Sequence, residues 1–113
     1  MIKYSIVLVP FPFDDFSSSK VRPAICLTST IGNYEHIIIA FISSKIPDEL
    51  LQSDVMVKKN RALINETGLL VDSVIRLHKL VTIPKTLISR RLGFADKELI
   101  DQISKKIKDL FEV

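Results

Sequence analysis

The sequence has little glycine, a single cysteine and no tryptophan, and these shortages exclude several kinds of site. Its three glycines form neither a G-x-x-x-x-G-K loop for nucleotide phosphates nor a G-x-S-x-G nucleophile elbow. Cys26 has no second cysteine with which to form an internal disulfide, and no Cys, His, Asp and Glu residues have the spacing of zinc ligands. We therefore expect no metal and no organic cofactor, so any enzymatic chemistry is expected to be metal-independent.

Long apolar runs are also missing. None approaches the ~20 residues of a membrane-spanning helix, so we expect no contact with a membrane. Near the N-terminus, Lys3 is followed by a short apolar run that prolines interrupt, which is not the pattern of a signal peptide. Cys26 lies between Ile25 and Leu27 and is interpreted as a small core residue. By elimination, we expect a cytoplasmic protein.

The remaining composition is that of one ordinary globular domain, expected to span residues 1–113. The hydrophobic share is 47% and the charged share 26%. The net charge of +3 is unevenly distributed. Residues 1–57 have four Lys or Arg and six Asp or Glu (−2), whereas residues 58–113 have twelve and seven (+5). This bias permits a nucleic acid or an acidic peptide as a partner but does not require one.

Short apolar runs separated by turn residues predict a mainly β fold. The predicted strands cover residues 5–10, 24–28, 36–42, 54–58, 73–81 and 87–94. Residues 36–42 are almost continuously apolar, which indicates burial on both faces. A turn is expected at Gly32, and Pro47 is expected to start one helical turn. Asp96 is predicted to cap a C-terminal amphipathic helix. These elements predict a small, strongly curved antiparallel sheet or barrel.

A long connection, residues 10–24, joins the first two predicted strands. Connections of this length inside a compact domain are usually functional or disordered. Lys20 and Arg22 lie at its far end. Pro23 lacks a backbone donor and favours an extended Arg22, whose guanidinium can then bind an oxyanion. An Arg22 that only pairs with one of the two loop aspartates agrees with the residues at least as well.

Four segments, in this order, resemble the PemK/MazF toxins, the ribonuclease halves of toxin–antitoxin pairs. They are IVLVPFPFDDFSSSKVRPAI (6–25), IAFISS (39–44), GLLVDSVIRLHKLVTI (68–83) and LISRRLG (87–93). Each segment alone is a weak signal, but four in the right order across the chain are fairly specific. The resemblance implies a mainly β fold with a C-terminal helix, namely a small SH3-like barrel that works as a homodimer.

The resemblance also implies a function. Members of this family cleave single-stranded RNA, including mRNA, at specific sequences, without metal, and with the ribose 2′-OH as nucleophile. A cognate antitoxin blocks them with an extended acidic C-terminal peptide. Carried over by position, the catalytic pair is Arg22 and Ser43, which would stabilise negative charge on the phosphoryl oxygens. Ser43 can equally cap the backbone at a strand end, and Ser44 is the alternative one residue on.

Arg76 and His78 are further catalytic candidates. The period of two in a strand predicts one face that carries Val74, Arg76, His78 and Leu80. In the Kid/PemK branch an arginine and an aspartate at the matching positions are implicated in catalysis, so here the arginine is kept and a histidine replaces the acid. His78 is then either a general acid or base, or a structural or RNA-stacking histidine. The predicted RNA-binding residues are Lys20, Ser44 and Phe16.

A second hypothesis keeps the barrel but not the ribonuclease activity. The chain would then be an RNA-binding regulator or a protein-binding module. One example of the latter is the gyrase-poisoning toxin of the same fold, which acts through a C-terminal Trp-Gly-Ile. This sequence has no tryptophan and ends in Phe111-Glu112-Val113, which disfavours the gyrase interpretation.

Overall fold

The computed structural model describes residues 2–10, 20–59 and 67–113, so the predicted RNA contact Phe16 lies outside the described residues. These residues form one antiparallel sheet with the strand order β4-β5-β3-β2-β1-β6, followed by a helix. The elements are β1 (Ser5–Pro10), β2 (Val21–Cys26), β3 (His36–Ser43), β4 (Asp54–Val57), β5 (Ser73–Pro84), β6 (Arg90–Phe94) and α1 (Lys97–Phe111). The predicted mainly β fold with a C-terminal helix is confirmed. Across the described part of the chain, no helix has the length and apolar character needed to cross a membrane.

Strand β2 begins three residues earlier than predicted, which changes the setting of Arg22. Val21 and Arg22 pair with Pro10 and Val9 of β1, so Arg22 belongs to a strand and not to the end of a loop. The proline that follows Arg22 is tolerated because the ladder from β2 to β3 begins only at Ala24. The strand therefore holds the arginine by pairing on the β1 side.

The helical turn predicted from Pro47 does not form. In such a turn the N–H of Leu51 would bond to the carbonyl of Pro47. Instead this N–H donates to Oδ2 of Asp54 at 2.8 Å. A side chain from the start of β4 thus takes the donor that the turn would need, which local sequence preference does not reveal.

The apolar residues divide between the two faces of the sheet, as the alternation in β3 illustrates. Ala40 and Ile42 join the helix-side core, whereas Ile37 and Ile39 join the far-side core. The helix-side core consists of Ile6, Ile25, Leu27, Ala40, Ile42, Val55, Val57, Ile75, Leu77, Ala95, Leu99 and Ile103. The far-side core consists of Val7, Val9, Ala24, Cys26, Ile37, Ile39 and Ile83. The predicted burial of the third strand on both faces is confirmed.

Helix α1 begins as predicted at an N-cap aspartate. The side chain of Asp96 accepts a hydrogen bond from the N–H of Leu99 at 2.8 Å. Leu99 and Ile103, four residues apart on one face, are fully buried in the helix-side core. The cap fixes where the helix starts, and the buried face fixes how it lies against the sheet.

Strand β5 contains an irregularity opposite β3. Ala40 pairs with Leu80, but Ile42 pairs with Ile75, so two steps along β3 correspond to five along β5. The extra residues form a bulge and break the period of two. Leu80 accordingly packs against the same core as Ile75 and Leu77. The predicted common face of Val74, Arg76, His78 and Leu80 is therefore wrong at Leu80.

Cys26 is a fully buried residue of the far-side core, as the sequence predicted. Burial raises the pKa of its thiol to about 11, and the positive charge of Arg91 opposes this only in part. The thiol therefore stays protonated at neutral pH. A protonated, buried thiol is chemically inert.

The first prediction compares two glycines that both have positive φ, Gly68 (+72°) and Gly32 (+73°). A Cβ at Gly68 would overlap the backbone carbonyl of Leu92, whereas a Cβ at Gly32 meets nothing. Gly32→Ala should lower the free energy of unfolding by about 1–2 kcal/mol through backbone strain alone. Gly68→Ala should lose about 1–3 kcal/mol more through steric overlap. Urea denaturation measures both values, and equal losses would contradict the predicted crowding at Gly68.

The second prediction concerns the pH dependence of stability that Cys26 causes. The unfolded thiol has a pKa of about 8.5, below the folded value of about 11. The unfolded chain therefore loses this proton first, so the contribution is fully present below pH ~8.5 and declines as the pH rises toward 11. Urea unfolding between pH 7 and 10 should give a steeper decline for the wild type than for Cys26→Ala. Parallel curves would show that the thiol ionises equally in both states.

Candidate functional site

A cleft of about 660 Å³ opens where the first residues of β2, the last residues of β3 and the starts of β5 and β6 meet. It is lined by Leu8, Arg22, Pro23, Phe41, Ile42, Ser43, Ser44, Lys45, Gly68, Leu69, Leu70, Val71, Ser73, Arg76, Lys79, Arg90 and Leu92. Five of these described residues are Lys or Arg, and none is Asp or Glu. A concave surface with charge of one sign attracts anions.

Two neighbouring strands bring Arg22 and Ser43 to this cleft. The ladder from β2 to β3 ends with Ala24 opposite Phe41. The same register, continued by two residues, sets Arg22 across from Ser43, and both line the cleft beyond the last paired residues. The two residues of the predicted catalytic pair, 21 positions apart in sequence, are thus brought into one site by strand pairing.

The guanidinium of Arg22 is exposed in this position. No carboxylate within residues 2–10, 20–59 and 67–113 forms an ion pair with it. The alternative pairing with one of the loop aspartates involves residues outside these ranges. Within the described site, Arg22 lines the cleft with a side chain that carries a planar set of N–H donors.

The hydroxyl of Ser43 already interacts with the backbone. It accepts a hydrogen bond from the N–H of Lys45 at 3.0 Å, and it lies 3.4 Å from the carbonyl oxygen of Lys45. The second distance is long for an O–H donor, so the hydroxyl proton is only weakly held. Ser43 therefore caps the strand end and keeps a proton to donate into the cleft. Ser44, the alternative one residue on, is exposed and also lines the cleft.

Arg76 enters the cleft from β5 and pairs with a buried carboxylate. Its Nε lies 2.8 Å from Oδ1 of Asp54, the residue opposite it on β4. The Asp54 side chain is fully buried, while that of Arg76 is 20% exposed. The Nε–H does not point along the line to the oxygen, so the contact is an ion pair and not an aligned hydrogen bond. Removing one partner of such a buried pair would leave an uncompensated charge.

The bulge in β5 decides which of the following residues reach the cleft. Lys79, three positions after Arg76, lines it. His78 is exposed and is not among the described lining residues, so Lys79, and not His78, lines the cleft beside Arg76. A role for His78 in catalysis stays a prediction. The register of β5 against β3, which the local pattern does not contain, produces this difference. Lys20 is exposed immediately before β2 and is likewise outside the lining.

Sequence reasoning missed three cations of the cleft, namely Lys45, Lys79 and Arg90. Lys45 directly follows the two predicted serines, so the sequence could have indicated that it lies at the same site. Arg90 pairs with Leu8 of β1, which the sequence does not reveal, because β1 and β6 are far apart in the chain. Lys79 reaches the site only because of the bulge.

The segment that closes one side of the cleft is apolar. Leu70 is 82% exposed and Val71 51% exposed. Two hydroxyls hold the segment: Thr67 accepts from the N–H of Leu69 at 3.2 Å, and Ser73 donates to the carbonyl of Val71 at 2.9 Å. The cleft thus combines cations with exposed apolar surface. Among the described residues, no group of three or more His, Cys, Asp and Glu side chains could hold a metal ion.

The family model of the PemK-like, MazF-like toxins of type II toxin–antitoxin systems matches residues 3–111. This chain belongs to that toxin family. Its sequence matches none of the curated proteins at a significant level. Membership in the PemK/MazF family confirms the resemblance found in the four sequence segments.

Solved structures have the same fold. The Mycobacterium tuberculosis toxin MazF-mt6 is 20% identical with a TM-score of 0.72, over 96% of this chain and 97% of that one. An endoribonuclease in complex with its cognate antitoxin from a mycobacterial species is 8% identical with a TM-score of 0.69, over 100% and 96%. An Mtb toxin is 21% identical with a TM-score of 0.61, over 78% and 90%. The small barrel-like architecture of the MazF toxins is therefore confirmed for this chain.

The third prediction compares the adjacent residues Lys79 and His78 of this toxin. Because Lys79 lines the cleft and His78 does not, Lys79→Ala should weaken binding of a single-stranded oligonucleotide, while His78→Ala should leave it nearly unchanged. Loss of one phosphate contact also reduces the slope of log affinity against log salt by about 0.7. Fluorescence anisotropy at several salt concentrations measures both effects. A larger effect of His78→Ala would show that the oligonucleotide binds outside this cleft.

Proposed function

We propose that this PemK/MazF toxin is a sequence-specific endoribonuclease that cleaves single-stranded RNA, including mRNA, without metal. The observation that carries the proposal is the convergence of Arg22 and Ser43 in one cleft with five cations and no described carboxylate. Such a surface suits a reaction in which negative charge grows on phosphoryl oxygens. Family membership and the structural similarity to an endoribonuclease give further support.

In this reaction the ribose 2′-oxygen attacks the adjacent phosphorus. A new P–O2′ bond forms as the 2′-hydroxyl loses its proton to solvent, and the P–O5′ bond breaks as the 5′-oxygen takes up a proton from solvent, which leaves a 2′,3′-cyclic phosphate and a 5′-hydroxyl. Arg22 donates to the non-bridging oxygens with its planar N–H groups, and the hydroxyl of Ser43 adds a second donor from the opposite strand. Arg76 supplies further positive charge on the β5 side. His78 is left out of this mechanism because its side chain does not line the cleft.

The same cleft is proposed as the target of a cognate antitoxin. An extended acidic peptide matches the five cations in charge, and its apolar side chains match the exposed Leu70 and Val71. One structure of similar fold contains an endoribonuclease with its cognate antitoxin. We also propose that the toxin is a homodimer, as the family resemblance implies, since Ile46, Leu50 and Leu51 leave apolar surface exposed outside the described cleft lining.

A second candidate function is RNA binding without cleavage. The contact from the Ser43 hydroxyl to the carbonyl oxygen of Lys45, 3.4 Å long, favours it, because a proton directed at that carbonyl is less available to a phosphate. Both functions use the same cations, and they differ only in whether the RNA is cut. A cleavage assay in which folding is checked separates them.

The fourth prediction concerns Arg22. Arg22→Ala should reduce cleavage of a long single-stranded RNA in EDTA by about 10²–10³-fold, because a preorganised donor to the developing charge is lost. Mapping of the cut ends should give 5′-hydroxyls at discrete positions. Arg91→Ala is the matched control, since Arg91 lies outside the cleft and stacks over Phe94.

Full cleavage by Arg22→Ala would sink the assignment of this residue. RNA that stays intact with folded, antitoxin-free wild-type toxin would favour the binding function instead. Circular dichroism of each variant separates loss of activity from loss of fold.

A further inference from the structure

A buried carboxylate lies behind the cleft and takes no part in the bond changes of the proposed reaction. Asp54, the first residue of β4, is opposite Arg76 of β5. One of its oxygens, Oδ2, accepts the N–H of Leu51 at 2.8 Å, and the other, Oδ1, lies 2.8 Å from Nε of Arg76. The backbone thus fixes the carboxylate, which in turn faces the guanidinium.

Arg76 is partly buried and partly exposed. Its Nε is inaccessible to solvent, yet a fifth of the side chain is exposed and the residue lines the cleft. The guanidinium is planar and rigid, so an anion beside Nε restricts the plane of the whole group and the directions of its terminal N–H donors. Asp54 itself does not line the cleft and therefore cannot touch the RNA.

We propose that Asp54 is a positioning residue for RNA cleavage, which acts only through Arg76. The carboxylate holds the guanidinium so that its terminal donors meet the scissile phosphate without further rearrangement. This inference depends on the proposed ribonuclease function.

A purely structural role is the competing explanation. Asp54 also ties β4 to the preceding connection through Leu51, and its loss would weaken that region whatever the cleft contains. The two roles differ in one respect. A positioning residue matters to catalysis only while Arg76 is present, whereas a structural residue matters equally without it.

A double-mutant cycle on the cleavage rate tests this difference. Single-turnover rates at saturating toxin are compared for the wild type, Asp54→Asn, Arg76→Ala and the double variant. We expect Asp54→Asn to slow cleavage by about tenfold to a hundredfold in the wild type. In the Arg76→Ala background the same change should alter the rate by no more than about twofold. Asp109→Asn is the control, because it breaks the exposed Lys105–Asp109 pair, outside the cleft.

A second measurement covers the case in which Asp54→Asn does not fold. In the ¹⁵N-labelled wild-type toxin, the Nε–H of Arg76 should exchange slowly with solvent, since it is buried beside the carboxylate. Adding a 2′-O-methylated oligonucleotide, which cannot be cleaved, should shift this signal and slow its exchange further. A rapidly exchanging signal that the oligonucleotide leaves unchanged would contradict the inference.

The outcomes separate this inference from the proposed function. If the wild type cleaves and the cycle is additive, Asp54 is structural and the ribonuclease assignment stands. If the wild type cleaves and the cycle has the expected non-additivity, the positioning role is supported. If the folded wild type does not cleave RNA, both the ribonuclease function and the positioning role are overturned.

Discussion

The register of β2 between its two neighbours determines both the core and the cleft. Ala24 and Cys26 enter the far-side core while Ile25 enters the helix-side core, so a shift by one residue would turn each of them to the wrong face. The same register places Arg22 opposite Val9 on one side and, continued past the end of the β3 ladder, across from Ser43 on the other. Burial of Ala24, Ile25 and Cys26 therefore also fixes the position of Arg22, a charged residue outside both cores.

The charged residues among the described lining of the cleft are all positive. Five cations in one concave surface repel one another, so an anionic ligand relieves the repulsion when it binds. Asp54 forms an ion pair with one of these cations, Arg76, and its side chain is fully buried. A buried ion pair contributes little to stability because desolvation offsets the attraction, but it strongly restricts orientation. The pair is therefore better suited to directing a guanidinium than to holding the fold together.

The sequence was sufficient for the parts of the fold that depend on local pattern. The apolar runs located all six strands, and Asp96 marked the start of the helix. It was not sufficient where a contact outside the element decides. The start of β2 depends on pairing with Pro10 and Val9 of another strand. The failed turn after Pro47 depends on Asp54, which is near in sequence, but local preference does not show that its side chain takes the N–H of Leu51.

For the candidate site, too, some residues could be predicted from the sequence, while others depend on strand pairing. Arg22, Ser43, Ser44 and Arg76 were placed from the family resemblance, and all of them line the cleft. Their roles in cleavage stay predictions. The family resemblance predicts His78 as well as Arg76, and strand period sets both on one face, but in the structure Lys79 lines the cleft in place of His78. Residues 76–79 contain no glycine or proline that would mark a bulge, so the pairing of Ile42 with Ile75 had to be known first.

The exposed apolar segment at the cleft should make the salt dependence of binding differ between the two proposed ligands, RNA and an antitoxin peptide. RNA would be held mainly through phosphates, so its affinity should fall steeply as salt rises. An antitoxin peptide would add contacts to Leu70 and Val71, and burial of apolar surface is far less sensitive to salt. The peptide would then outcompete RNA by a margin that grows with ionic strength. One set of cations could thus serve both proposed ligands, while contacts to Leu70 and Val71 would give the antitoxin peptide its advantage at high salt.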